Sequence, residues 1–136
     1  MSHIPINPDG LLPPVGFAHG MLAAPGRTLY LGGQTGHHAD GRLDDGLVAQ
    51  FGRALRNLAT VLDDAGARPE HVVSMQIFTT DVATYRAEPK ALGRAYREVM
   101  GRHFPAIALF GVSALHDPDA VVEIVAIAVV PGDPAA

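Results

Sequence analysis

Cysteine is absent from this 136-residue sequence, which excludes disulfide staples, thiolate zinc sites and cysteine nucleophiles. The fold must therefore rest on packing. An excess of positive charge is missing too: ten Lys and Arg stand against fourteen Asp and Glu, for a formal net charge of −4. The cations are scattered, whereas phosphate binding needs a clustered basic surface, so nucleic acid is not an expected partner. No apolar run approaches the roughly 20 residues that span a bilayer, and no basic stretch leading into an apolar one opens the chain. The expectation is a cytoplasmic protein with no membrane partner, forming a single domain over residues 1–136, since this length buries a real core but does not hold two.

What is present is a clear alternation of hydrophobic periods. Arg27 to Gln34 (RTLYLGGQ) reads as a strand, with Phe17 to Ala24 as its hairpin partner and Pro25-Gly26 as the turn. Leu47, Phe51, Leu55, Leu58, Leu62 and Ala65 recur at three- and four-residue spacing, after Asp44-Asp45 and before Gly66. That spacing predicts an amphipathic helix with acidic residues near its positive end and a glycine stop. Val72 to Thr80 predicts a strand with Val73, Met75 and Ile77 on one face. Pro89 suits the first turn of a second helix whose buried stripe includes Leu92, Tyr96 and Val99. Two further strands, Ala106 to Ser113 and Val121 to Val130, flank the turn-rich His116-Asp117-Pro118-Asp119.

The resulting order, β-β-α-β-α-β-β, predicts an α+β fold with one mixed sheet and two helices packed on one face. The last strand, VVEIVAIAVV, is apolar in both phases of its alternation, so both faces of the sheet call for cover. Two helices cover only one. A ring of identical protomers is the ordinary way to cover the other, whereas a monomer of 48% hydrophobic composition with a bare apolar sheet risks aggregation.

The segments Gly33-Gln34, Gln50 to Gly66 (QFGRALRNLATVLDDAG), Val72 to Asp81 (VVSMQIFTTD), Pro105-Ala106 and Val122 to Ala128 (VEIVAIA) resemble, in order and spacing, the RidA/YjgF family of reactive-intermediate deaminases. The resemblance covers nearly the whole chain. It implies a chorismate-mutase-like fold assembled as a homotrimer, with small-molecule clefts between subunits that hydrolyse enamines and imines such as 2-aminoacrylate, without metal or organic cofactor. It further implies a cleft lined by Phe17, Gly33, Ile107, Ala108 and Leu109, with Glu123 matching the glutamate that positions or activates the attacking water.

Carried over residue by residue, the match is uneven. The family's arginine after Pro-Ala clamps a substrate carboxylate through two parallel hydrogen bonds, and here that position is Ile107. A tyrosine is replaced by Phe17, a serine by Gly32, and a second acidic residue on the last strand by Val125. The sequence is thus identified as a divergent member lacking the substrate-binding arginine, and turnover of 2-aminoacrylate is expected to be weak or absent.

Glu123 stands out on pattern alone as the only charged residue in a ten-residue apolar strand, in phase with Val121, Val125, Ile127 and Val129. Desolvation there is expected to raise its pKa towards the range of general acid/base work, unless it serves as a structural carboxylate at the sheet's edge or paired with an arginine from a neighbour. Of seven histidines, His37-His38 beside Asp40 superficially resemble a metal site, but adjacent side chains in an extended loop point apart and no HxxxH spacing accompanies them. A solvent-facing loop is expected. His19 lies two residues after Phe17 and approaches the cleft if that strand is regular, although a satisfied histidine near the core is the plainer expectation. Two functional readings follow. One is an enzyme performing deamination or related proton transfer on an imine, enamine or carbonyl compound with Glu123 as acid/base. The other is a non-catalytic trimer holding a metabolite in apolar inter-subunit clefts.

Overall fold

The structure is a computed structural model and describes residues 2–132. Its centre is a four-stranded mixed sheet of order β3-β6-β4-β5, built from β3 (Gly26–Thr35), β4 (Val72–Thr79), β5 (Ala106–Gly111) and β6 (Val122–Pro131). Only the β4–β5 pair is parallel. The predicted α+β layer is therefore observed, with α1 (Leu47–Asp64) and α3 (Pro89–Met100) against one face. No helix among the described residues is long and apolar enough to cross a membrane.

The core lies between that face and the helices, and it follows from the two periods. In β6, Val122, Ile124, Ala126 and Ala128 are buried, alternating with Glu123, Val125 and Ile127. They meet Phe51, Ala54, Leu55, Leu58 and Leu62 of α1 and Leu92, Tyr96 and Met100 of α3. The α1 stripe ends one residue short of expectation, because Ala65 is the exposed C-cap and Gly66 turns the chain at φ 73°. Asp44 and Asp45 do not enter the first turn of α1. Gly46 stands at the N-cap, and the Asp44 carboxylate is engaged by His38 and Arg42.

Three further details depart from the sequence reading. The predicted hairpin between residues 17–24 and β3 does not form. Instead β2 (Gly20–Leu22) pairs antiparallel with β1 (Ile4–Ile6) in a separate two-stranded sheet. His3 fixes this arrangement, since the Ala24 N–H donates to its Nδ1 (2.9 Å) while its Nε2 lies 2.8 Å from the Val129 carbonyl, to which it donates. In β4 a register shift between Val72 and Ser74 makes Val72, rather than Val73, the buried partner of Met75 and Ile77. An unpredicted helix α2 (Val82–Ala87) follows β4, capped by Asp81, whose carboxylate accepts from the Thr84 N–H (3.0 Å) and hydroxyl (2.6 Å).

Candidate functional site

The uncovered face of the sheet carries Glu123. Its cross-strand partners are Thr35 on β3 and Phe78 on β4, and Phe78 stacks on Phe110 of β5 with ring centroids 5.5 Å apart. Tyr30, 76% exposed, completes an apolar surface with Val125 and Ile127. Glu123 is thus a half-buried carboxylate on a largely aromatic and aliphatic face. It enters no ion pair among the described residues.

Gly33 decides where that carboxylate lies. The β3–β6 register shifts between Leu31 and Gln34, leaving Gly32 and Gly33 without partners in the pairing. A Cβ on Gly33 would stand 2.0 Å from Glu123 Oε2 and 2.9 Å from its Cδ. The carboxylate therefore rests on bare backbone. Of the residues that sequence reasoning assigned to the site, Gly33 and Glu123 are in direct juxtaposition.

The others lie elsewhere in the protomer. Phe17 precedes β2 in an irregular segment, its ring edge-on to His19 with centroids 5.1 Å apart. His19 is not on a strand face with it, and the His19 Nε2 donates to the Leu12 carbonyl (2.7 Å). Phe17, Ile107 and Ala108 line a cavity of about 320 Å³ where Ala18 bridges to Ala106. Ile107 pairs with Met75 and Leu109 with Ile77, both buried, so these two β5 side chains face the helices rather than the Glu123 face. They border a second cavity of about 610 Å³ beneath α2 and α3. With one strand between them and three residues of offset, Glu123 and Ile107 are separated by roughly 14 Å from strand spacings alone.

A constellation that sequence reasoning passed over sits beside Glu123. The Thr35 hydroxyl donates to His37 Nδ1 (2.5 Å), and His37 Nε2–H donates to Asp117 Oδ2 (2.8 Å). The next histidine likewise meets a carboxylate, His38 Nε2 to Asp44 Oδ2 at 2.9 Å. The pair is therefore half-buried and partnered rather than a free surface loop. Two side-chain amides, the buried Gln50 and the half-buried Asn57, hold this region in place. Asn57 Nδ2 donates to the carbonyls of Thr35 and His37, while Gln50 donates to those of Asp44 and Asp119 and accepts from the Val121 N–H. Asp117 is held below the usual carboxylate range, first by the Asp119 N–H and then by His37. Thr35 and His37 share a side of an extended segment at a two-residue spacing, which is a local signal, but Asp117 is 80 residues away and nothing local announces it. Among the described residues no cluster of three or more His, Asp or Glu side chains is arranged to hold a metal ion.

Comparison with known proteins places these features in a wider group. Residues 12–130 match the family described as endoribonuclease L-PSP. A protein of unknown function of the conserved Rid family from Yersinia pestis is 34% identical over 96% of this chain and 100% of its own, with a TM-score of 0.86. A member of the YjgF family from Mycobacterium tuberculosis is 27% identical over 95% of this chain and 100% of its own, TM-score 0.64. RidA from an Antarctic Psychrobacter is 25% identical over 84% of this chain and 88% of its own, TM-score 0.68. No curated protein matches the sequence.

Proposed function

The chain belongs to the endoribonuclease L-PSP family, which includes the Rid and YjgF proteins, and from that premise we propose that it acts on a small reactive metabolite by proton transfer. The reaction is hydrolysis (deamination) of an imine or enamine, or related chemistry on a carbonyl compound, and Glu123 is its acid/base. One observation carries the reading: the Glu123 carboxylate lies on the apolar uncovered face of the sheet, seated against the bare backbone of Gly33 without an ion-pair partner among the described residues. A carboxylate so placed is free to exchange a proton with a bound molecule.

The site is completed by a homotrimer. A single protomer leaves Tyr30, Phe110, Val125 and Ile127 facing water and keeps Glu123 on the face opposite Ile107 and Leu109. A second copy over that face removes the apolar surface and brings different edges of the chain to one cleft. Sedimentation should give a species near three times 14.3 kDa at micromolar concentration, and a stable monomer would overturn this part. The family description as an endoribonuclease finds little support in the charge of this chain, with fourteen acidic residues against ten Lys and Arg.

Glu123→Gln tests the chemistry. The amide is nearly isosteric, so the assembly should persist while turnover falls by roughly a hundredfold or more. Imines generated in the assay from a panel of amino acids by an amino-acid oxidase supply the substrates. A variant as active and as stable as the parent removes Glu123 from the mechanism and leaves a non-catalytic trimer binding a metabolite as the better account.

A further inference from the structure

A further cavity, of about 750 Å³, lies at the start of β4 and is lined by His3, Arg68, Glu70, His71, Arg102 and His103 among others. Glu123 pairs with Phe78 at the other end of that strand, roughly 20 Å from Val72 by strand rise alone. Of the residues assigned to the candidate site only Phe17 reaches this cavity. Its three histidines converge on one strand pair, Val72 of β4 with Ala128 of β6. His71 directly precedes Val72, the His103 Nε2–H donates to the Val72 carbonyl (2.7 Å), and the His3 Nε2–H donates to the carbonyl of Val129, next to Ala128 (2.8 Å). The Tyr96 hydroxyl fixes His103 further by donating to its carbonyl (2.6 Å). Donors remain unspent around this point. His71 Nδ1 accepts the Arg68 N–H (3.0 Å), which puts its own proton on Nε2. Asn7, also in the lining, accepts the His19 N–H at Oδ1 (2.8 Å) and so keeps its NH₂ to offer. Arg102 is exposed and enters no ion pair among the described residues. The one acid in the lining, Glu70, is already met by Arg68 Nε at 3.1 Å. Burial holds the His71 pKa below its ordinary 6.5, and Arg68, His3 and His103 push it the same way against Glu70 alone, so these cations lie close enough to repel one another.

We propose that this cavity binds a small phosphomonoester, its dianionic phosphate held by the His71 Nε2–H and Arg102 with Arg68 and His103 beside them, and its polar body towards Asn7. Charge complementarity selects the dianion. Several bases against one acid leave a deficit that a single carboxylate meets only in part, whereas a phosphate supplies two charges and three acceptor oxygens to donors arriving from different segments of the chain. An imidazole pushed towards its neutral form by like-charged neighbours regains its proton when a dianion arrives. The volume exceeds that of a bare phosphate and leaves room for an organic body. This site is independent of the proton-transfer reading, since neither Glu123 nor Gly33 takes part.

The test is equilibrium binding to the intact protein, measured by calorimetry with ribose 5-phosphate, sulfate, dimethyl phosphate and unphosphorylated ribose as probes. Ribose 5-phosphate should bind more tightly than sulfate, and dimethyl phosphate more weakly than either, because a diester carries a single charge. Ribose alone should not bind at millimolar concentration. Sulfate stays a dianion throughout, so its affinity reports protonation of the protein, and it should rise as pH falls through 6.5. His71→Asn keeps an acceptor for the Arg68 N–H; it should weaken sulfate by about tenfold, the lower end of what a hydrogen bond to a charged group contributes, and flatten that pH dependence. Arg102→Gln, at an exposed position, should weaken sulfate by about as much and keeps the test open if His71→Asn fails to fold. The His71 ring resonances should move on addition of sulfate, in the parent and in Glu123→Gln alike. Sulfate binding as tightly as ribose 5-phosphate marks an adventitious ion only and overturns the inference. So does ribose binding as tightly as its phosphate, insensitivity to both substitutions, or no binding of either dianion at millimolar concentration. Loss of sulfate binding in Glu123→Gln puts the anion at the other end of the sheet and overturns it as well.

Discussion

Gly33→Ala and Gly36→Ala make a matched pair that separates the site from the fold. At Gly33 the new methyl would meet Glu123 Oε2 at 2.0 Å, Cδ at 2.9 Å and Cγ at 3.2 Å, whereas ordinary contact begins near 3.4 Å. The carboxylate oxygen must therefore retreat by about 1.4 Å, the difference between 3.4 and 2.0 Å. It sits at the end of a flexible side chain, so the retreat costs a rotamer adjustment of about 0.5–1.5 kcal/mol. That cost is largely offset by the gain of about 0.4–1 kcal/mol from a stiffer unfolded chain. At Gly36 the methyl would meet Gln50 Cα and O at 2.7 Å, which is helix backbone that cannot swing away. Overpacking there costs about 1–3 kcal/mol, and disturbing the Gln50 amide adds about 1 kcal/mol for each hydrogen bond lost. Thermal denaturation should thus leave Gly33→Ala within a few degrees of the parent and lower Gly36→Ala by roughly 10 °C. Activity should divide the other way. A catalytic group displaced by more than 1 Å loses on the order of a hundredfold, so Gly33→Ala should be nearly inactive while its melting curve is retained. The Glu123 carboxyl resonance, followed by NMR, should move with it. If Gly33→Ala destabilises as much as Gly36→Ala, or leaves both turnover and that resonance unchanged, the placement of Glu123 on Gly33 is wrong.

Native turnover of 2-aminoacrylate or 2-iminobutyrate should be weak or absent because Ile107 stands where a carboxylate clamp is expected, and Ile107→Arg should restore part of it; robust native turnover of either imine would refute this reading of position 107. Burial raises the Tyr96 hydroxyl above its ordinary value of 10.0. The folded state therefore holds that proton longer than the unfolded chain, so stability should fall as pH rises above 10, and Tyr96→Phe should flatten that limb of a melting-temperature profile even though it loses the hydrogen bond to the His103 carbonyl (2.6 Å). Burial chiefly lowers the His71 pKa from 6.5. The unfolded chain takes up that proton first, so this contribution to stability should be lost as pH falls through 6.5, and His71→Asn should reduce the slope between pH 7 and 5. Thr35→Val removes the hydroxyl that meets His37, and the His37 ring resonances should shift on substitution while those of His38 stay in place.

The layer order, the two long helices and the double-sided apolar strand β6 were legible because each is a property of neighbouring residues: spacing along α1, alternation along β6, proline at the start of α3. The elements that escaped depend on contacts between distant parts of the chain. Residues 17–24 were assigned to β3 by proximity, yet β2 pairs with β1 because the His3 ring ties Ala24 to Val129, a contact spanning 126 residues on one side. The face of β4 shifted because a bulge adds one residue at Val73, and a period of two carries no sign of an inserted residue until the partner strand is known. Helix α2 has only six residues, too few for a periodic stripe, although Asp81 and Thr84 at a three-residue spacing form a capping signal that was available.

Position 107 shows most clearly why a residue can be named from sequence and still be misplaced in space. Ala106, Ile107, Ala108, Leu109 and Phe110 are apolar in both phases, so alternation cannot say which of them face the helices. Register decides it: Ile107 opposite Met75 and Leu109 opposite Ile77 turn towards the core, while Phe110 opposite Phe78 and Phe78 opposite Glu123 turn the other way. In one protomer, then, the acid/base candidate and two residues grouped with it occupy opposite sides of a single sheet. No rotamer change brings them together across a layer of backbone. If they serve one bound molecule, a second copy of the chain must supply one side of the site. On that account the residues of Glu123's own protomer fix the position of its carboxylate, and the neighbouring copy fixes what it meets. Oligomer dissociation by dilution should then abolish turnover before it unfolds the chain, and activity that persists in a dilute monomer would show that Glu123 works without Ile107 and Leu109.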